Sequence, residues 1–319
     1  MRLFFLSGPA AAGWYNRPVE SGRITDVSRE ALDLDATLAS GQVFRWTRDG
    51  DGVWHGVLEG RHRARLAQGA DGTLYYELDT AASGADAEES VRRFLRLDDL
   101  DLPAHAEAWS AADPHFAECW SDHPGIRLLR QDPEECFFSF LCASVAPIAR
   151  ISGMLRAVAT EYGDGIHFPA AADLAGATES RLRELGLGFR ARRVAAAAQA
   201  LAAREPGHLR FLRSLPPAEA KAALMAFEGV GEKIADCIRL FSLDHDDAVP
   251  VDTHIWRMAR ARYAPELAGR SLTPAAYARV GEAFRDRFGE RAGWAQQILF
   301  YRVAVAPGVA RRQRSGAVG

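Results

Sequence analysis

Lysine is almost absent from this chain. Of 39 basic residues only two are lysines, Lys221 and Lys233, which leaves 37 arginines (39 − 2). Arginine keeps its charge under ordinary conditions, whereas a lysine can lose its proton once its pKa is lowered. Each retained lysine therefore poses a question. Lys221 lies on a polar helical stretch, where chance is explanation enough. Lys233 lies in a motif that is taken up below.

Cysteine is scarce as well. Cys119, Cys136, Cys142 and Cys237 form no C-x-x-C pair and no cluster with metal-ligand spacing. That argues against a disulfide framework and a zinc site, and it reads as buried or reduced thiols in an intracellular protein, cytoplasmic or nucleoid. No apolar run approaches the ~20 residues needed to span a bilayer. The run at Met1 to Leu6 stops at Ser7-Gly8-Pro9, short of the ~7–15 apolar residues of a signal peptide. Residues 1–22 are accordingly expected to form a disordered leader. Strong net charge is also missing: at −3 the chain gives no global sign of nucleic-acid binding. Locally, Arg181 to Arg213 holds eight arginines against two glutamates, and a solvated helix face explains that as well as a basic DNA-facing surface does.

What is present is an ordinary globular composition. The 319 residues are 48% hydrophobic and 25% charged, enough for one large or two average domains. Gln42–Thr47, Val53–Leu58, Arg61–Ala67 and Thr73–Leu78 read as strands separated by Asp/Gly turns, a meander of at least four strands. After Ser83 the pattern turns helical. Helices are predicted over 86–97 and 103–112. Another starts at Asp132-Pro133-Glu134-Glu135, where an Asp cap, a first-turn Pro and two acids coincide. Further helices follow over 147–162, 178–185, 190–203, 216–226, 232–243, 253–263, 273–288 and 290–304. The expected fold is α+β. A leader at 1–22 precedes a small N-terminal antiparallel β domain with flanking helices at 23–115. An all-α domain at 116–306 and a disordered tail at 307–319 complete the chain.

The chemistry concentrates in Phe227-Glu228-Gly229-Val230-Gly231-Glu232-Lys233-Ile234-Ala235-Asp236-Cys237. One helix ends, a Gly-x-Gly turn follows, and the next helix begins at once. Glycine permits positive φ and leaves the backbone N–H groups unobstructed. A tight turn at a helix N-terminus suits a phosphate and grips a DNA backbone without reading bases. By itself such a turn is as often a plain helix corner. Nineteen residues beyond Lys233 comes Val249-Pro250-Val251-Asp252-Thr253-His254. Pro250 imposes an extended approach, and Asp252 falls where a helix cap belongs.

The hairpin, its lysine and the downstream Pro-x-Asp together resemble the helix-hairpin-helix DNA glycosylases with a Gly/Pro-rich loop and Asp. Within that superfamily the chain looks like an 8-oxoguanine DNA glycosylase with an N-terminal β domain, from about Ser28 to Val305. The segments Ser40-Gly41-Gln42-Val43-Phe44-Arg45-Trp46, Arg130-Gln131-Asp132-Pro133, Gly186 to Arg192 and Gly293 to Phe300 carry the likeness. The resemblance implies a bifunctional glycosylase/AP lyase. Lys233 attacks C1′ and forms a Schiff base, and Asp252 offsets the charge developing on the sugar. A nucleophilic lysine must be less basic than its ordinary value of about 10.4. The Gly41 carbonyl would accept the N7–H that marks 8-oxoguanine. Gln296 would bond the Watson–Crick edge, Phe300 would stack on one face and Cys237 would lie against the other. His254 and the hairpin residues Gly229, Val230 and Gly231 would hold phosphates. Arg150 and Arg190 would bond the cytosine left behind, with Phe189 wedged beside it. Each residue singly has a plainer account as core or surface; their joint order favours the site.

The resemblance implies double-stranded DNA with an oxidised purine as partner, monomeric action, no membrane association and no organic cofactor or metal cluster. A cation held by hairpin backbone carbonyls is compatible with it. The cysteine-free tail excludes the iron–sulfur loop of some relatives. Two departures stand out. Val145-Ala146-Pro147 replaces an asparagine-rich stretch that fills the flipped-out gap and reads the opposite cytosine, and Phe189 replaces a tyrosine. Weak discrimination of the opposite base is expected. The competing accounts are a monofunctional alkylpurine glycosylase, which would not need Lys233, and a non-catalytic hairpin DNA-binding protein, which would not need the base pocket.

Overall fold

The computed structural model describes residues 18–80 and 84–308. The sheet is built from β1 (Val19–Ile24), β2 (Thr47–Arg48), β3 (Trp54–Leu58), β4 (His62–Gln68) and β5 (Leu74–Asp79), with helix α1 (Leu34–Ala39) after β1. Its order is β1-β5-β4-β3-β2, antiparallel throughout. The expected meander is there, with two corrections. Residues 19–22, assigned to the leader, pair with β5, because Ile24 and its strand cover an otherwise open sheet edge. The rest of that leader, 1–17, lies outside the described residues. Gln42 to Trp46 is not a strand: Gln42 is buried with its amide bonded to loop backbone, which pulls the segment away from a ladder.

The helices follow as α2 (Gly84–Leu95), α3 (Leu102–Ala112), α4 (Pro114–Asp122), α5 (Pro133–Cys142), α6 (Ile148–Tyr162), α7 (Ala171–Leu174), α8 (Glu179–Leu182), α9 (Ala191–Ala202), α10 (His208–Phe211), α11 (Pro217–Met225), α12 (Glu232–Ser242), α13 (Thr253–Arg262), α14 (Pro274–Phe288) and α15 (Ala292–Phe300). The Asp132 cap holds as read, its Oδ1 accepting the N–H groups of Glu134 and Glu135 at 3.0 and 3.1 Å. Residues 306–308 are helical, where the tail was expected from 307; 309–319 lie outside the described residues.

Two apolar cores result. A smaller one joins the inner face of the sheet to Val91 and Phe94 of α2. The larger one runs through the helices and already includes Leu100, Leu102 and Trp109. Helix α3 rests on α4 and α14, so its apolar face belongs to the larger core. The seam between the cores is polar, and within it the buried Trp294 indole N–H has no hydrogen-bond partner among the described residues. Buried Arg127 donates to the carbonyls of Ala31 (3.0 Å), Leu95 (2.9 Å), Arg96 and Leu100 (3.1 Å). Its guanidinium and that of Arg96 lie over the Trp294 ring at 5.3 and 4.9 Å. A bidentate pair of Arg96 with Asp246 closes the seam.

Candidate active site

The hairpin between α11 and α12 forms as its glycines require. Gly229 has φ +88°, and a Cβ there would meet the Arg193 side chain at 2.5 Å, so only glycine fits. No side chain caps α12, which leaves its first N–H groups open for an anion. Val230 does not share that surface. It is buried, and its N–H is spent on the Phe227 carbonyl at 3.1 Å. Its part in the hairpin is packing.

A cleft of about 790 Å³ runs along this hairpin and past Ser144, Val145, Asp252 and His254. Next to it lies a narrower cavity of about 50 Å³, walled by Gly41, Cys237, Gln296, Phe300, Phe140 and Phe241. Lys233 and Asp252 line both. The chain thus brings the two expected catalytic side chains to the place where a groove meets a pocket. All four expected base-pocket residues stand around that pocket. Its volume is well below the few hundred Å³ of a ligand site, so its walls must part for a purine.

Each group is held by identifiable contacts. Asp252 caps α13, its Oδ1 accepting the N–H of His254 at 2.9 Å and of Ile255 at 2.8 Å. The Lys233 ammonium sits 5.2 Å from the centre of the Phe140 ring. Burial pushes the Cys237 thiol up to about 11, against the pull of the adjacent Lys233 ammonium, so Cys237 is a neutral wall. The Gly41 loop (φ +83°) is pinned on both sides. The Gln42 amide bridges the Arg127 carbonyl and the Leu129 N–H, both at 2.8 Å, and Gln131 and Gln297 donate to the carbonyls of Gln42 and Ser40 at 2.8 and 3.3 Å. Gln296 differs. It is 2% exposed, and its Oε1 has no hydrogen-bond partner among the described residues. A buried acceptor left unpaired costs about 1–3 kcal/mol. His254 meets Phe300 edge to face, with 6.3 Å between ring centres.

The residues expected to face the opposite strand are arranged otherwise. Phe189 is 54% exposed, as a wedge must be, and Arg150 is exposed in the first turn of α6. Arg190 is turned inward. At 2% exposure it donates to the Ser144 carbonyl and lies 4.3 Å from the centre of the Phe189 ring, so it braces the wedge and does not reach the cleft as placed. Val145 is 96% exposed with φ +52°, a strained conformation for a β-branched residue.

Phe140, Phe241, Pro250 and Gln297 also line the pocket and were not singled out from sequence. Phe140 and Phe241 sit in apolar helical stretches where every residue looks like core. Pro250 was noted only for its effect on the backbone. Gln297, adjacent to Gln296, was distinguishable only by which face of α15 it occupies. Lys221 also proves specific: it donates to Glu232 at 2.8 Å and to buried Asp236 at 3.0 Å. Among the described residues no three His, Cys, Asp or Glu side chains gather as a metal site, and no helix is long and apolar enough to cross a membrane.

Residues 24–137 match the family described as 8-oxoguanine DNA glycosylase, N-terminal domain. Residues 138–276 match the HhH-GPD superfamily of base excision DNA repair proteins. The chain is 40% identical over 284 residues to the N-glycosylase/DNA lyase OGG1 of Arabidopsis thaliana, across 84% of this chain and 76% of that protein. It is 28% identical over 317 residues to the N-glycosylase/DNA lyase of Saccharomyces cerevisiae, across 86% and 84%. It superimposes on the apo-form of the Clostridium acetobutylicum 8-oxoguanine glycosylase/lyase with a TM-score of 0.75 and 26% identity, covering 88% of this chain and 96% of that one. Since these likenesses run through the sheet, the hairpin and the pocket alike, the chain belongs to the 8-oxoguanine DNA glycosylase family of the helix-hairpin-helix base-excision superfamily.

Proposed function

We propose that this enzyme removes 8-oxoguanine from duplex DNA and then cleaves the strand, with Lys233 as nucleophile and Asp252 as the carboxylate beside the reacting sugar. The observation that carries the reading is Gln296 Oε1, a buried acceptor without a partner, in a pocket whose mouth holds a lysine and an aspartate. A base cannot be reached inside the stack, so it is flipped out, and its ring N–H groups satisfy Gln296. The Gly41 carbonyl takes the extra N7–H, and guanine would set acceptor against acceptor there.

The Lys233 Nζ forms a bond to C1′ while the C1′–N9 bond breaks. The base leaves with that electron pair and is protonated. Asp252 offsets the positive charge that grows on the sugar. One amine proton passes to the departing base, and the C1′–O4′ bond breaks as the other reaches O4′, which gives the Schiff base. Removal of a C2′ proton then expels the 3′ phosphate and cuts the strand. The hairpin N–H groups and His254 hold the backbone, while Phe189 and Val145 occupy the disrupted stack. With Val145-Ala146-Pro147 offering no side-chain amide, discrimination of the opposite base is weak. The enzyme acts intracellularly on DNA, as a monomer. Any cation at the hairpin is held by backbone carbonyls.

The test is borohydride trapping on duplexes with 8-oxoguanine opposite each of the four bases, for the parent and Lys233→Gln. An adduct from the parent, absent in the variant, is expected. Base release without an adduct would establish hydrolytic, monofunctional action. Neither adduct nor release would leave DNA binding alone.

A further inference from the structure

The two catalytic groups lie on different elements, Lys233 on α12 and Asp252 at the start of α13, and something must fix their separation. The ion network on α12 supplies it. Asp236 lies one turn beyond Lys233 and is 3% exposed. A buried carboxylate is tolerated only when its charge is met by partners. Asp236 has three. Lys221 donates to Oδ2 at 3.0 Å, Arg239 donates to Oδ1 at 2.8 Å, and the Tyr277 hydroxyl donates to Oδ2 at 2.9 Å. The same hydroxyl accepts the N–H of Val251, the residue before Asp252, at 3.2 Å. The Val249 carbonyl stands farther off, at 3.4 Å. Lys221 completes the arrangement by lying 5.0 Å from the centre of the Tyr277 ring and bonding Glu232 at the start of α12.

We infer that Tyr277 is a positioning residue: through its hydroxyl it ties the helix bearing Lys233 to the loop bearing Asp252, and Lys221 holds that tie in place. This rests on the reading of Lys233 and Asp252 given above. Tyr277 comes from α14, so the tie joins three segments by one oxygen atom. Burial and the Asp236 charge raise the Tyr277 pKa well above its ordinary value, so the hydroxyl keeps the proton it donates. The second lysine of this arginine-rich chain thereby acquires a reason: a compact ammonium fits between two carboxylates and an aromatic face.

The experiment is Tyr277→Phe, which removes one oxygen and keeps the ring. Borohydride trapping at saturation counts the active molecules, and single-turnover base excision then gives the rate per active molecule. Binding to a duplex with a non-cleavable abasic analogue gives Kd. The rate per active molecule is expected to fall about tenfold or more, as misplacement of reacting groups by a fraction of an ångström does, with Kd within about twofold. A purely structural role would lower the active fraction and leave the rate per active molecule at the parent value, and that result overturns the inference. If Tyr277→Phe fails to fold, Lys221→Gln is read in the same way, with a smaller loss of rate expected and an unchanged rate again overturning it. A parent that traps no adduct overturns the Lys233 reading and this inference with it.

Discussion

The lesion side and the opposite-strand side of this cleft are built by different rules. On the lesion side, Gln296 and Cys237 are buried in helices, and Gly41 is held by four amide hydrogen bonds around its loop. The pocket's polar groups are anchored and Gln296 is left unmet, although its walls must part before a purine fits. On the opposite side, Val145 and Phe189 stand in solvent and Arg190 is folded inward onto the Ser144 carbonyl. Of the residues expected to meet the opposite strand, only exposed Arg150 presents hydrogen-bonding groups without rearrangement. A buried site with anchored polar groups rejects mismatched hydrogen-bonding patterns strongly, because an unpaired buried group is costly. An exposed apolar wedge fills space and rejects little. The contrast predicts an enzyme strict about the lesion and tolerant about its partner.

The sharpest way to break the contrast is Gln296→Ala. It removes the unpaired acceptor and should lower kcat/KM for 8-oxoguanine by about 100-fold, of the order seen when a site loses a substrate-directed hydrogen bond. The factor should be the same opposite all four bases. A loss confined to one opposite base would show that the two sides are coupled, and the comparison would fail.

Val145→Asn tests the other side with a smaller effect. Asparagine tolerates the left-handed backbone that costs valine about 1–2 kcal/mol, so the variant should unfold later in a denaturant titration. Its amide can also reach the opposite base. Excision opposite cytosine should gain about fivefold over excision opposite adenine, about 1 kcal/mol from one added hydrogen bond, with the lesion preference unchanged. An equal ratio in parent and variant would mean that opposite-base choice lies elsewhere, with Arg150 as the next residue to test.

The lesion side was also the more legible from sequence. Its residues carry signals that survive without coordinates: a lysine in a chain of arginines, a Pro-x-Asp that must cap a helix, a Gly-x-Gly that must turn. Side-chain direction carried no such signal. The resemblance makes Arg190 a DNA contact, yet the Ser144 carbonyl captures its side chain. Val230 reads as part of the hairpin surface, yet its apolar side chain goes to the core. The strand expected at Gln42–Thr47 fails because one buried glutamine bonds Arg127 and Leu129, residues some 85 positions away, and local alternation cannot encode that. Tyr277 was invisible for the same reason, since its partners Asp236 and Val251 lie 41 and 26 residues off.

The smallest effect concerns stability and should appear on the buried side alone. Burial holds the Cys237 thiol at about 11, above its ordinary value of 9.0. In the unfolded chain it ionises near the ordinary value, so above pH 9 the native state binds more protons than the unfolded state. Stability then falls as pH rises, and the loss is complete once pH passes the folded value. By pH 10 the loss from this one thiol is on the order of 1 kcal/mol. Cys142, pushed up to about 12, and Cys136 add to the slope in the same direction. Denaturant unfolding of the parent and Cys237→Ala between pH 8 and pH 10.5 isolates the Cys237 share. The variant should show a shallower alkaline decline, although truncating the thiol lowers its stability at pH 8. Identical slopes would mean that the Cys237 thiolate is solvated as it forms, and that the pocket opens far more readily than its buried walls imply.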